Sequence, residues 1–271
     1  MNTKKVFNQY WKAWLGSAFL ASCAGTVSAG VVNSQHDLTS AGSGQGGTTA
    51  TDEVCVFCHT PHGSDTAAPV PLWNKVLTPG AAYVQYSTLQ TPSFDSTEAP
   101  VGSVSLACLS CHDGTQAMDV VINGPGSGNY NPTGGEIDGT AIGVMTGTPI
   151  PALGLDLTDD HPISMQYGGG GPLATDLDGT FAGTLGDLDF VAPEKDTVNT
   201  NPIWWVDSPV GTAGTREKTD MILYARNDLG TVQPFVECGS CHDPHNDTSA
   251  GTAFLRIDNS SSQICTTCHV K

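Results

Sequence analysis

Apolar residues are unevenly spread along this chain. The longest apolar run is near the start, where Ala13 to Val27 is mostly small or apolar and follows three lysines, Lys4, Lys5 and Lys12. A run this short does not span a bilayer as a mature helix, and behind a basic leader it fits an export signal. Val27-Ser28-Ala29 offers a small-residue cleavage site, so residues 1–29 read as a signal peptide. Leu20-Ala21-Ser22-Cys23 competes as a lipoprotein cleavage box with Cys23 as the lipidated residue. Either cut implies export. Further on, residues 113–237 are rich in Gly, Asp, Thr and Pro, including Gly168 to Gly171, and loops should dominate there. Within that region Ile203-Trp204-Trp205-Val206 and Met221-Ile222-Leu223-Tyr224 are the best candidates for strands or buried segments. Asp176-Leu177-Asp178-Gly179 lacks the ligand spacing of a calcium loop and reads as an acidic turn.

Apolar residues make up 38% of the chain, beside 32 glycines and 17 prolines. That is too lean for a large side-chain core, since globular domains usually reach about 45–50%. What replaces the core is signalled by a unit that occurs four times: Cys55-Val-Phe-Cys58-His59, Cys108-Leu-Ser-Cys111-His112, Cys238-Gly-Ser-Cys241-His242 and Cys265-Thr-Thr-Cys268-His269. Cys-x-x-Cys-His is the spacing of covalent haem c attachment: two thiols add across the porphyrin vinyl groups and the adjacent imidazole binds the iron. A bare Cys-x-x-Cys could be half a zinc site or a redox pair. Only 8 of 271 residues are His, so finding one after all four pairs by chance is about a one-in-a-million event, and the haem spacing accounts for it. The expected fold is mostly irregular and organised by haem, with short helices at the motifs, loops and few short strands. Without haem the chain should not fold stably.

The chain divides into the signal peptide at 1–29, an N-terminal arm at 30–54 containing His36, two haem motifs within 55–112, the loop region 113–237 with His161, and two more motifs within 238–271. Trp73, Tyr83 and Tyr86 are expected to pack on haem. Each half repeats one order: a lone His, then Cys-x-x-Cys-His-x-Pro-His, then Cys-x-x-Cys-His. Four histidines, His59, His112, His242 and His269, are proximal iron ligands by position. Four remain, His36, His62, His161 and His245, and match four distal positions with none spare. His62 follows His59 too closely to reach the opposite face of the same porphyrin, and His245 stands likewise to His242. Pro61 and Pro244 favour extended backbone before them, so His62 and His245 should serve neighbouring haems. His36 lies on a Gly/Ser-rich arm that could fold onto its own protomer or reach into the next.

Removing residues 1–29 leaves 7 basic residues against 27 acidic, a net charge of −20. That argues against nucleic acid, whose phosphates need a basic face, and suits basic or cationic partners. The runs Val54 to Gly63, Cys108 to Gly114, Asp160 to Ser164 and Cys238 to His245 resemble the tetrahaem cytochromes that polymerise into extracellular nanowires of the OmcE type. The resemblance implies four low-spin bis-histidine haems in close contact and a head-to-tail homopolymer. It also implies a distal histidine supplied by the adjacent subunit, for which His36 is the candidate. Its role would be electron transfer to other redox cytochromes and extracellular acceptors. A monomeric periplasmic electron shuttle is the alternative. A reductase would need an open iron position, for which no variant motif or missing histidine speaks.

Overall fold

The computed structural model describes residues 30–39, 47–126, 129–139, 142–147, 151–171, 185–246 and 254–270. The export signal, Cys23 and the acidic turn at Asp176–Gly179 lie outside the described residues.

With glycine and proline so frequent, helices stay short. α1 spans Ser103–His112, α2 Cys238–Cys241 and α3 Gln263–Cys268, and each carries a haem motif. The first motif sits on the 3-10 turn Val54–Phe57. Among the described residues the rest is loop, further 3-10 turns and seven short strands: β1 (Val120–Asn123), β2 (Tyr130–Glu136), β3 (Met165–Gln166), β4 (Glu194–Val198), β5 (Asn201–Val206), β6 (Met221–Arg226) and β7 (Gln233–Val236). The irregular architecture read from the sequence is what forms. The strands, however, all fall within 113–237, where loops were expected to dominate. β5 and β6 contain the two apolar segments singled out there.

Five strands join in the order β3-β7-β6-β5-β4, every pair antiparallel. β4 and β5 form a hairpin across Asn199 and Thr200, both left-handed at φ 49° and 68°. That is the turn whose twist matches paired strands. Trp204 pairs with Leu223 in the neighbouring strand and is fully buried. Met165, Tyr167, Val206, Met221, Val236 and Ile257 complete this core, and Cys241, Ile264 and Cys268 lie against it. The sheet therefore underlies the two C-terminal motifs.

The two N-terminal motifs rest on a different cluster, formed by Leu38, Val56, Phe57, Met118, Met145 and Ala152 with Cys58 and Cys111 against it. The β1–β2 pair lies close by in sequence, and side-chain polar bonds tie the loops. Asn74 Nδ2 donates to the Val56 carbonyl (2.6 Å) and the Asn123 carbonyl (2.8 Å), while its Oδ1 accepts the Asn123 amide at 2.8 Å. A third cluster, Tyr83, Val101, Leu109 and Leu157, backs α1. No helix among the described residues is long and apolar enough to cross a membrane.

Candidate haem sites

Each motif is closed by one helical turn. The amides of His59, His242 and His269 donate to the carbonyls of Cys55, Cys238 and Cys265 at 2.8, 3.1 and 2.9 Å, and the second motif, Cys108–His112, ends α1. That turn carries the imidazole back over its own cysteine pair. None of the eight motif cysteines is in a disulfide. Burial pushes the Cys58 and Cys268 thiols up to about 12 and Cys241 to about 11, so before attachment they are neutral thiols. Cys108 and Cys238 share a hydrogen bond, which drives the first well above the ordinary thiol value and holds the second below it. The second and third motifs thus meet cysteine to cysteine. Gly239 permits this approach, since a Cβ there would run into the Tyr224 hydroxyl and the Val104 side chain of α1.

A histidine that binds metal through Nε2 usually spends its Nδ1 proton on a carbonyl or carboxylate. His59 Nδ1 lies 2.9 Å from the Pro71 carbonyl and His112 Nδ1 2.8 Å from the Pro151 carbonyl. A carbonyl only accepts, so both rings carry the proton on Nδ1 and keep Nε2 free for a metal. His161 Nδ1 is 3.0 Å from the Pro162 carbonyl, and His245 Nδ1 faces the Asp243 carboxylate at 3.8 Å.

Two pairs of imidazoles oppose one another. The His36 and His112 ring centres are 6.2 Å apart with planes crossed at 84°; those of His59 and His245 are 6.2 Å apart with planes only 18° from parallel. An iron between two imidazoles, about 2 Å from each nitrogen and about 1 Å further from each ring centre, sets the centres about 6 Å apart. Both spacings fit. His245 faces the first motif from the third.

Of the two placements open to the arm, onto its own protomer or into the next, this chain shows His36 facing His112 of its own chain. The arm is curled by Asp37, whose carboxylate accepts from the Asn33 amide (2.8 Å), the Thr39 amide (3.1 Å) and the Thr39 hydroxyl (2.6 Å). Leu38 anchors it in the cluster beneath Cys58 and Cys111, and the Thr48 amide bonds to the Leu38 carbonyl at 3.0 Å. Burial first, then the neighbouring His112, lower the His36 pKa to about 4, with the Pro244 carbonyl partly offsetting them. That carbonyl makes no hydrogen bond to Nδ1, which is buried and without one. The ring is therefore neutral at physiological pH, as an iron ligand must be. His62 and His161 are exposed. His269 packs on Phe190, ring centres 4.5 Å apart.

Of the three aromatic residues expected on haem, only Trp73 touches a motif histidine, standing edge-on to His59 at 5.8 Å. Tyr83 donates to Asp113 at 2.8 Å and Tyr86 packs on Phe94.

A protein-family model of the doubled CXXCH motif matches residues 233–271. No curated relative matches the chain. The pattern is that of a multihaem c-type cytochrome. In such a cytochrome the bound haem exchanges electrons, and this chain's residues orient the iron ligands and set the charge around them.

Three features of that surrounding escaped the sequence reading. Lys75 is fully buried, its ammonium donating to the carbonyls of Met118 and Val120, both at 2.9 Å, and it lies within electrostatic reach of Cys58. Its signal is a lysine inside the largely apolar stretch Leu72 to Leu77 of a chain with few bases. Glu237, next to Cys238, is buried and accepts from Arg226 (2.8 Å), Ser105 (2.5 Å) and Ser164 (3.1 Å). Ser105 also accepts the Cys238 amide at 2.9 Å, locking α1 to α2. The third is Phe254, whose ring stacks on His36 at 4.1 Å.

Proposed function

We propose that this cytochrome is an electron conduit holding four haems, each iron closed on both faces by imidazole. The observation that carries the reading is the pair of opposed imidazole couples, His36 with His112 and His59 with His245, each at the spacing an iron between them requires. His62 and His161 then remain as distal ligands for the irons on His242 and His269. An iron so closed offers no site for substrate and changes oxidation state with little rearrangement, which argues for charge transfer rather than reduction of a bound molecule. The close approach of Cys108 and Cys238 supports close haem contact across the middle of the chain.

Export and assembly into an extracellular filament complete the reading. They rest on the basic-apolar leader, on the resemblance, and on the exposed imidazoles of His62 and His161, either of which can reach a neighbouring copy. The second reading, a monomeric periplasmic shuttle, is favoured by the arm that folds His36 back onto its own chain. Haem content and spin state of the purified protein test the conduit: four haems per chain, all low-spin, are expected, and fewer haems or a substantial high-spin ferric signal would overturn it. Sedimentation and electron microscopy of secreted material separate filament from monomer.

A further inference from the structure

We infer that Phe254 is a positioning residue for the sixth ligand of the second haem, holding the His36 imidazole crossed against that of His112. This rests on the reading of closed irons above. Phe254 lies nearly parallel to the His36 ring, with planes 16° apart and centres 4.1 Å apart, a stacked contact. It is 6% exposed and adopts a left-handed backbone at φ 59°. A bulky residue with a side chain on Cβ avoids that region unless its surroundings hold it there.

The surroundings here are the third motif itself. The Asp243 amide donates to the Phe254 carbonyl at 2.8 Å, Leu255 bridges His242, and the Arg256 amide donates to the Cys241 carbonyl at 2.8 Å. Arg256 also donates from its side chain to the Gly239 carbonyl at 3.0 Å. The strap from Phe254 to Arg256 thus runs along the backbone of one haem site and presents an aromatic face to the distal ligand of another.

Ligand planes matter because an imidazole interacts with low-spin ferric iron through orbitals perpendicular to its ring. Crossed rings treat the two iron π orbitals alike and leave them nearly degenerate, which gives a strongly anisotropic paramagnetic signal. Near-parallel rings single out one orbital and give an ordinary rhombic signal. The 84° pair on the second haem and the 18° pair on the first fall at opposite ends of this range. Phe254 therefore sets an electronic property of one iron without touching it, as outer residues tune metal sites generally.

The test is electron paramagnetic resonance of the frozen, fully ferric holoprotein. The wild type should show both a strongly anisotropic and a rhombic low-spin signal. Phe254→Leu should shift or broaden an anisotropic signal by the intensity of one iron, with haem content and the rhombic signal unchanged, and Phe254→Tyr should restore it. A Phe254→Leu spectrum identical to wild type would overturn the positioning role while leaving the closed irons intact. So would a wild-type spectrum with rhombic signals alone, which decides the matter even if the leucine variant loses haem. A large high-spin signal in the wild type would bring down the closed-iron reading, and this inference with it.

Discussion

Beneath Cys241 and Cys268 lies a sheet whose buried side chains, Trp204, Val206, Met221 and Leu223, meet one another without polar help. Beneath Cys58 and Cys111 lies a smaller apolar cluster, fastened by Asn74 and Lys75 to backbone carbonyls of loops and of β1. The first foundation draws on area removed from water, which is additive and tolerant of small shifts. The second draws on buried polar groups that contribute only while every bond is made. The opposed imidazole couples close over the two motifs of that second foundation. Its geometry is therefore set by its ligands as much as it sets them, whereas the C-terminal motifs sit on a platform that stands by its own packing.

The largest expected break in this contrast is at His36. On the proposed ligation, His36→Ala should convert one iron of the isolated monomer from low to high spin, with all haems still attached. Optical and paramagnetic spectra of material kept below any assembly threshold check this. No spin change in the monomer would mean that the ring does not serve its own chain. Next is Trp204→Ala. Emptying a fully buried site in the sheet should cost about 3–5 kcal/mol, and hydrogen exchange should locate the loss in β4 to β7. The N-terminal imidazole couples should keep their spectra.

A smaller effect is expected at Lys75. Lys75→Met leaves the Met118 and Val120 carbonyls without their donor, at about 1–3 kcal/mol. It also removes a buried positive charge near Cys58, which favours the ferric state. The midpoint potential of the N-terminal pair should fall, with that of the C-terminal pair little changed. Redox titration monitored at the haem bands reads both. An upward shift would contradict the placement of the charge.

How far the sequence foretold this molecule can be judged from the same two regions. The four motifs were legible because their chemistry needs three residue types at fixed spacing, whereas which motif His245 would face was not, because proline restricts only the residue before it and names no distant partner. β5 and β6 were legible as apolar runs. β4 was not, because Glu194, Lys195 and Asp196 give it a polar face, and its pairing is supplied by a neighbour close in sequence only through the Asn199–Thr200 turn. The inward fold of His36 was hidden, since a Gly/Ser-rich arm does not advertise that Asp37 will curl it and Leu38 will anchor it. Phe254 and Lys75 act across separations of 218 and 42 to 45 residues (His36 to Phe254; Lys75 to Ala117, Met118 and Val120). No local pattern reports contacts of that range.

The smallest effect concerns the sheet edge of the network joining the two regions. Asp228 accepts from Arg226 Nε at 2.9 Å, and that bond holds its carboxyl below the ordinary aspartate value. Its side chain is 38% exposed, so the pair belongs with screened surface pairs and contributes about 0.2–1 kcal/mol. A depressed folded-state pKa gives stability that is fully present above the unfolded value and is lost as pH falls through the folded one. Asp228→Asn should therefore lower stability slightly at neutral pH and flatten the acid limb of the stability profile below the ordinary aspartate range. Arg226 keeps its second carboxylate, Glu237, at 2.8 Å, which is why the loss stays small. Replacing Glu237 instead would take from Arg226 its buried carboxylate and leave it the half-exposed Asp228 and the Pro100 carbonyl, at a cost several times larger. Denaturant titrations of the two variants between neutral and acid pH should rank them in that order, and equal losses would mean that the network does not distinguish its buried carboxylate from its exposed one.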